Sequence, residues 1–226
     1  MKKIAAILLA TVISGASLSA QEESSYSITM DFPYVSDYVF RGIQLGDDAI
    51  QPSIEFATGD FYAGIWTSLP ISNRSSMGWE DEYDFYAGYG VSLSDAWAMD
   101  FGATYYYYPS SGSNLFEPFV GVAGDFGGGF SGSVYYYYET EDEVSTFQFD
   151  LGYSAELSDT TSLDIGGNYG VASDPYDYTY WAVSATFNVA LNDAAGAYLG
   201  AVLTDNDIAG DTSEDFYFIT GLSIGF

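Results

Sequence analysis

The side chains of this chain that could do chemistry are almost all carboxylates. Thirty-two acidic residues stand against four basic ones, with no histidine and no cysteine. Without imidazole or thiol there is no usual general base, no Ser–His or Cys–His pair, no thiolate zinc site and no disulfide. Carboxylates alone attract or bridge cations. "DNDIAGDTSED" (Asp205–Asp215) looks like a calcium loop, but Ala209 and Phe216 stand where such a loop needs an oxygen ligand and a glutamate. Glu139, Glu141, Asp142 and Glu143 form either a loose divalent-ion bridge or a solvated acidic loop. "GDFGGGFSG" has the wrong glycine spacing, and no following helix, for phosphate binding. The expectation is a protein that is not an enzyme, with no catalytic residue, no metal site and no cofactor.

The few cations are unevenly placed. Lys2 and Lys3 precede an apolar run, Ile4–Ile13, and a small-residue stretch ending at Ala20. That order reads as a secretory signal peptide over residues 1–20, cleaved after Ala20, with a single domain over 21–226. Only Arg41 and Arg74 then remain against the 32 carboxylates, a net charge of −30. Nucleic acid is not an expected partner, because binding it needs a basic footprint. Binding to anionic lipid through a polybasic patch is disfavoured for the same reason.

Elements that could position these carboxylates follow from periodicity. After the signal peptide no apolar stretch approaches the roughly 20 residues of a membrane helix. Alternation recurs instead: Tyr83, Phe85, Ala87, Tyr89 and Val91 against Asp84, Tyr86, Gly88 and Gly90, and again Phe147, Phe149, Leu151 and Tyr153 against Gln148, Asp150, Gly152 and Ser154. A period of two puts these sets on opposite faces of a strand. Strands are expected near 26–40, 49–58, 61–70, 82–93, 96–108, 115–124, 130–139, 146–157, 161–172, 177–191, 195–204 and 215–226, with bulges at Pro33 and Pro52. Short connections, each with one Asp, alternate with longer ones, the signature of an outer-membrane barrel with periplasmic turns and outer loops. The expected fold is therefore all-β: a transmembrane, antiparallel, up-and-down β-barrel of about twelve strands.

In that register Asp31, Glu55, Glu82, Asp84, Asp100, Glu117, Asp150, Glu156 and Asp164 face inward as pore-lining candidates. An acidic lumen concentrates cations; the alternative is wetted polar positions without selectivity. Arg41, beside Asp37, is either a lumen cation or a structural ion pair at the top of the first strand, with Asp37 or Glu82 as partner. Two blocks of four tyrosines, Tyr105–Tyr108 and Tyr135–Tyr138, end strands that run outward. Tyr105, Tyr107, Tyr136 and Tyr138 then face lipid as an outer aromatic girdle, while Tyr106, Tyr108, Tyr135 and Tyr137 crowd the upper lumen. A sugar-stacking ladder is the alternative role for the inward rings. Trp97, Phe130 and Phe226 are placed for the lower girdle. The last strand, "DFYFITGLSIGF", ends on Phe226, the kind of terminus that the barrel-assembly machinery reads.

"VSDYVFRGI" (Val35–Ile43), "FYAGIWTS" (Phe61–Ser68), "YDFYAGY" (Tyr83–Tyr89), "YYYYP" (Tyr105–Pro109) with Glu117 shortly after, and the closing Phe226 resemble the TorF family of porins. The resemblance covers essentially the whole chain after residue 20, in order, and its first motif is the most specific. It implies an outer-membrane barrel with a loosely defined transport role, and it carries over no catalytic residue.

The function these readings favour is passive diffusion of small hydrophilic solutes, with a preference for cations, through a barrel in contact with outer-membrane lipid. The alternative is a non-conducting structural or adhesion barrel whose acidic loops do the work.

Overall fold

In the computed structural model, residues 26–74, 79–173, 177–210 and 216–226 are described. The expected signal peptide and its cleavage point lie outside them, as do residues 211–215 of the last acidic loop.

The described chain is all-β. In order the strands are β1 (Ser27–Val35), β2 (Tyr38–Phe40), β3 (Ile43–Gly46), β4 (Ala49–Ile50), β5 (Ser53–Thr58), β6 (Phe61–Pro70), β7 (Glu82–Ser92), β8 (Trp97–Tyr108), β9 (Ser113–Gly127), β10 (Phe130–Glu139), β11 (Val144–Ser158), β12 (Thr161–Ser173), β13 (Tyr178–Asn192), β14 (Ala195–Asn206) and β15 (Phe216–Gly225). Each wall strand pairs antiparallel with its chain neighbours, and β15 returns to β1. Thr29 there faces Gly225 and Val35 faces Ile219, so the sheet closes and no edge stays open. Counting β4 and β5 as one interrupted strand, the wall has the expected twelve.

The interruption has a local cause. Pro52 has no N–H to give the ladder, and across from it on β1 a second proline, Pro33, stands opposite Gln51, whose N–H its carbonyl accepts at 2.9 Å. Prolines thus sit on both sides of the break, at the two positions where the sequence suggests bulges.

Turns between β5 and β6, β9 and β10, β11 and β12, and β13 and β14 hold two residues each. They lie at the end of the barrel that carries both termini of the wall, near Ser27 and Phe226. Gly59, Gly128 and Gly129 take positive φ there, as tight hairpins require.

The two faces differ as a membrane barrel demands. Leu151, Leu199, Val183, Phe101, Phe149 and Phe187 point outward and are exposed, Leu151 by 68%. Tyr62, Tyr135, Tyr180, Asp84, Glu117 and Gln148 point inward and are buried. No described helix is long and apolar enough to cross a membrane; the strands are, since about ten tilted residues span the apolar layer. Such an apolar band on the outer face is what a barrel presents to the lipid of a membrane.

One expected strand is wrong. The first ends at Val35, not residue 40. After a bend at Ser36 and Asp37 the chain turns inward as the separate hairpin β2–β3, paired Tyr38 to Gly46 and Phe40 to Ile43. Arg41 and Gly42 form its turn with φ of 50° and 78°, the double positive φ that matches strand twist in a two-residue connection. Alternation through Tyr38–Phe40 reads as a continuing strand, and only the Arg-Gly pair signals the reversal.

Inverting the polarity of one face tests the register. Leu151→Arg or Val183→Arg is expected to cost about 2–4 kcal/mol in lipid. Asp150→Arg, one residue from Leu151 but facing inward, costs markedly less. Urea unfolding of the barrel from lipid vesicles, followed by tryptophan fluorescence, measures all three; equal losses at Leu151 and Asp150 would refute the assignment of faces.

Candidate functional site

The lumen is built in two layers. The lower rests on a repeated cross-strand arrangement. Tyr62 on β6 stands directly opposite Gly88 on β7, and Tyr86 on β7 opposite Gly64 on β6. Tyr135 faces Gly121 and Tyr198 faces Gly221 in the same way, and Tyr180 faces Gly170 higher in the barrel, beneath the hairpin. Each ring lies flat across its glycine, where a Cβ would collide with the ring or its hydroxyl. Lying flat lets the hydroxyl reach one strand further. Tyr62 donates to Asp100 of β8 at 3.0 Å, and Tyr135 donates to the same carboxylate from the other side at 3.1 Å. Tyr86 donates to Glu55 at 3.3 Å, Tyr198 to Asp31 at 2.9 Å, and Tyr180 to the Gln148 carbonyl oxygen at 2.6 Å. Gln148 passes its own N–H to Asp150 at 2.8 Å, where Ser133 also donates. Asp164 accepts from Asn188 at 2.7 Å.

The β2–β3 hairpin supplies the upper layer. Val39 packs in a cluster with Ala182, Val202 and Tyr217, and Ile43 packs against Ala172, Tyr178 and Tyr180. These contacts are with β12–β15. On the opposite side the Tyr38 ring packs tilted against Trp66, and its hydroxyl donates to Glu82 at 2.8 Å. Tyr108 donates to the other Glu82 oxygen at 2.8 Å. The hairpin therefore touches both walls of the lumen.

Arg41 occupies its tip. The guanidinium binds Glu117 of β9 through two hydrogen bonds, 2.7 and 2.9 Å. Its carbon lies 4.7 Å from the Phe40 ring centre and 4.6 Å from that of Tyr137. Tyr106 adds a third donor to Glu117 at 2.9 Å. A buried ion pair is tolerable only with such geometry and extra donors, and the two ring faces add cation–π attraction. The partner is thus neither Asp37 nor Glu82, and the pair does not sit at the top of the first strand as expected; the inward turn carries Arg41 to a different wall.

Glu55, Glu82, Asp84, Asp100, Glu117, Asp150 and Asp164 all lie on the inner face. Glu156 shares their parity but is exposed at the lower rim. Asp84 is buried, with its Oδ1 lacking a hydrogen-bond partner among the described residues. On the outer face Tyr105 and Tyr107 are exposed beside their loop, while Tyr136 packs on Phe147 and Tyr138 is half-buried. Trp97 and Phe226 are exposed near the lower rim, and the backbone of Phe226 closes the seam by exchanging hydrogen bonds with Ile28. Within the acidic loop Glu139 is buried and accepts the N–H groups of Glu141 and Asp142. It caps a turn and leaves Glu141, Asp142 and Glu143 as the solvated part. In the last loop Asp207 accepts from the N–H and hydroxyl of Thr179, and these bonds hold its carboxyl below the usual aspartate range.

Sequence reading finds the inward carboxylates but misses their donors. The signal was present: inward tyrosines and inward glycines alternate on adjacent strands, and correct pairing sets them face to face.

A closed twelve-stranded barrel with a polar lumen and an in-folded hairpin defines the class: a bacterial outer-membrane β-barrel. The chain belongs to the family described as "Bacterial protein of unknown function (Gcw_chp)", which matches residues 19–217. No curated protein matches it in sequence. Similar solved structures include the KdgM porin, at 10% identity and a TM-score of 0.63 over 88% of this chain and 99% of that one. The NanC porin matches at 12% identity and 0.59 over 87% and 98%. The COG4313 outer membrane channel from Pseudomonas putida F1 matches at 10% identity and 0.52 over 95% and 100%. At these identities the likeness is one of fold.

Replacing glycines tests the flat-ring arrangement. Gly121→Ala is expected to destabilise the barrel by about 1–3 kcal/mol, as overpacking does, because Tyr135 must leave its seat. Gly90→Ala, where nothing lies within 4 Å of the new methyl, stays within about 0.5 kcal/mol of wild type, as surface changes do. Urea midpoints in detergent or lipid compare the two.

Proposed function

We propose that the protein is an outer-membrane channel for passive diffusion of small hydrophilic solutes, and that it prefers cations. The observation that carries this reading is the charge of the inner face. Asp31, Glu55, Asp100, Asp150 and Asp164 are hydrogen-bonded to neutral donors only. The one arginine on the inner face among the described residues, Arg41, is already matched by Glu117. Fixed negative charge behind a low-dielectric wall raises the local cation concentration and repels anions. The resemblance of Val35–Ile43 and the later motifs to the TorF family of porins, and the porin folds that the barrel matches, support a channel. One of those structures is titled "KdgM porin in complex with disordered oligogalacturonate". Oligogalacturonate is a polyanion, and the inner face here has the wrong charge to receive one. A cleaved signal peptide over residues 1–20, and capture of the Phe226 terminus by the barrel-assembly machinery, fit export of such a protein.

A second reading is favoured by the hairpin: contact with both walls in the upper lumen suits a non-conducting surface barrel. Single-channel recording separates the two.

The reversal potential across a planar bilayer under a salt gradient tests the preference. It is expected to have cation sign and to shrink as ionic strength rises, since the Debye length is about 10 Å at 0.1 M and shorter above it. Glu55→Gln, Asp100→Asn and Asp150→Asn together reduce it, whereas neutralising Glu141, Asp142 and Glu143 does not. Glu117 is spared because its charge is already matched. A potential of anion sign, or one untouched by the triple substitution, refutes cation preference.

A further inference from the structure

The site that holds Arg41 is mostly wall. Glu117, Tyr106 and Tyr137 belong to β9, β8 and β10, and only Phe40 comes with the hairpin. A carboxylate presenting both oxygens, steadied by a tyrosine hydroxyl and flanked by an aromatic face, is what a free organic cation needs. The surroundings hold more carboxylates than one guanidinium can pair with. Glu82 and Asp84 stand on the adjacent β7, and Asp84 Oδ1 is buried without a partner among the described residues.

The hairpin itself is an insertion. Val35 and Ala49 face each other as direct partners in the β1–β4 ladder, so a two-residue turn could join them. Residues 36–48 contribute no strand to the wall. Arg41 also sits at a φ of 50°, where glycine and asparagine are the easy choices. The turn accepts that cost at the residue that reaches the wall.

We propose that the β2–β3 hairpin is a tethered plug whose Arg41 occupies a cation-binding site of the channel wall, and that soluble guanidinium-type cations compete for that site. The proposal rests on the channel reading above. When another cation takes Glu117, Arg41 is left as a buried charge without its partner, which is strongly unfavourable. The hairpin then withdraws toward the outer mouth, where the guanidinium regains water.

Three proteins test this in planar bilayers: wild type, a variant in which Ser36–Asp48 is replaced by Asn-Gly, and that variant carrying Glu117→Gln. A heat-modifiable gel shift first confirms that each barrel has folded. The shortened variant is expected to conduct severalfold more than wild type. Millimolar guanidinium chloride raises wild-type conductance by competing with Arg41, while sodium chloride at the same concentration does not. In the shortened variant the same guanidinium partly blocks the current, and Glu117→Gln abolishes the block. Equal conductance of wild type and shortened variant overturns the plug. Higher conductance without any guanidinium effect overturns the cation site. A folded shortened variant that passes no current overturns the channel reading itself. Should the shortened chain not fold, Arg41→Ala decides: it conducts more than wild type if the tether is real, and equally if it is not.

Discussion

A carboxylate that faces a narrow lumen needs donors, and this chain has almost no cations to provide them. That constraint organises the interior. Seven tyrosine hydroxyls serve five inward carboxylates: Glu82 and Asp100 take two each, and Glu55, Glu117 and Asp31 one each. A hydrogen bond to an ionised group contributes about 1.5–3 kcal/mol, enough to offset much of the cost of partial burial without cancelling the charge. An ion pair would satisfy the same oxygens but erase the field. Tyrosine is the donor that satisfies a carboxylate without a cation beside it.

The geometry of the donor then constrains the neighbouring strands. A tyrosine upright on a strand would project into the lumen. Laid across a glycine on the next strand, it points its hydroxyl along the wall. Glycine is costly in a strand interior, and its use opposite Tyr62, Tyr135 and Tyr198 is explained by the ring that needs the space. The arrangement also ties together strands that are not direct neighbours, β6 with β8 and β14 with β1. The rings thereby narrow the lower lumen. Twelve strands enclose more room than the side-chain-filled interior of an eight-stranded barrel, and the hairpin takes up the remainder above.

The barrel was legible because its signals are local and repetitive. Alternation along Tyr83–Val91 and Phe147–Tyr153 reports one lipid face and one lumen face directly, and the hairpin connections report strand ends. Strand count and closure follow from adding these up. The hairpin was not legible, because Tyr38-Val39-Phe40 has the same alternation whether it continues β1 or folds back beside it. Only contacts distant in sequence decide, such as Val39 with Val202 and Arg41 with Glu117. The site divides along the same line. Parity alone puts Glu117 inside, but its partner depends on where the chain bends at Ser36.

Position 41 shows why that bend matters. A lysine there would bring charge but neither the planar fork that meets both Glu117 oxygens nor the flat face that lies between Phe40 and Tyr137. Asparagine or glycine would suit the turn but bring no charge. Arginine satisfies the wall at the expense of the local backbone, and such conflicts between local preference and long-range contact cluster at functional positions. The turn is therefore built for what its tip reaches. In a lumen where tyrosine hydroxyls serve so many carboxylates, Glu117 is, among the described residues, the one on the inner face that meets a guanidinium, and the hairpin that brings it is not part of the wall.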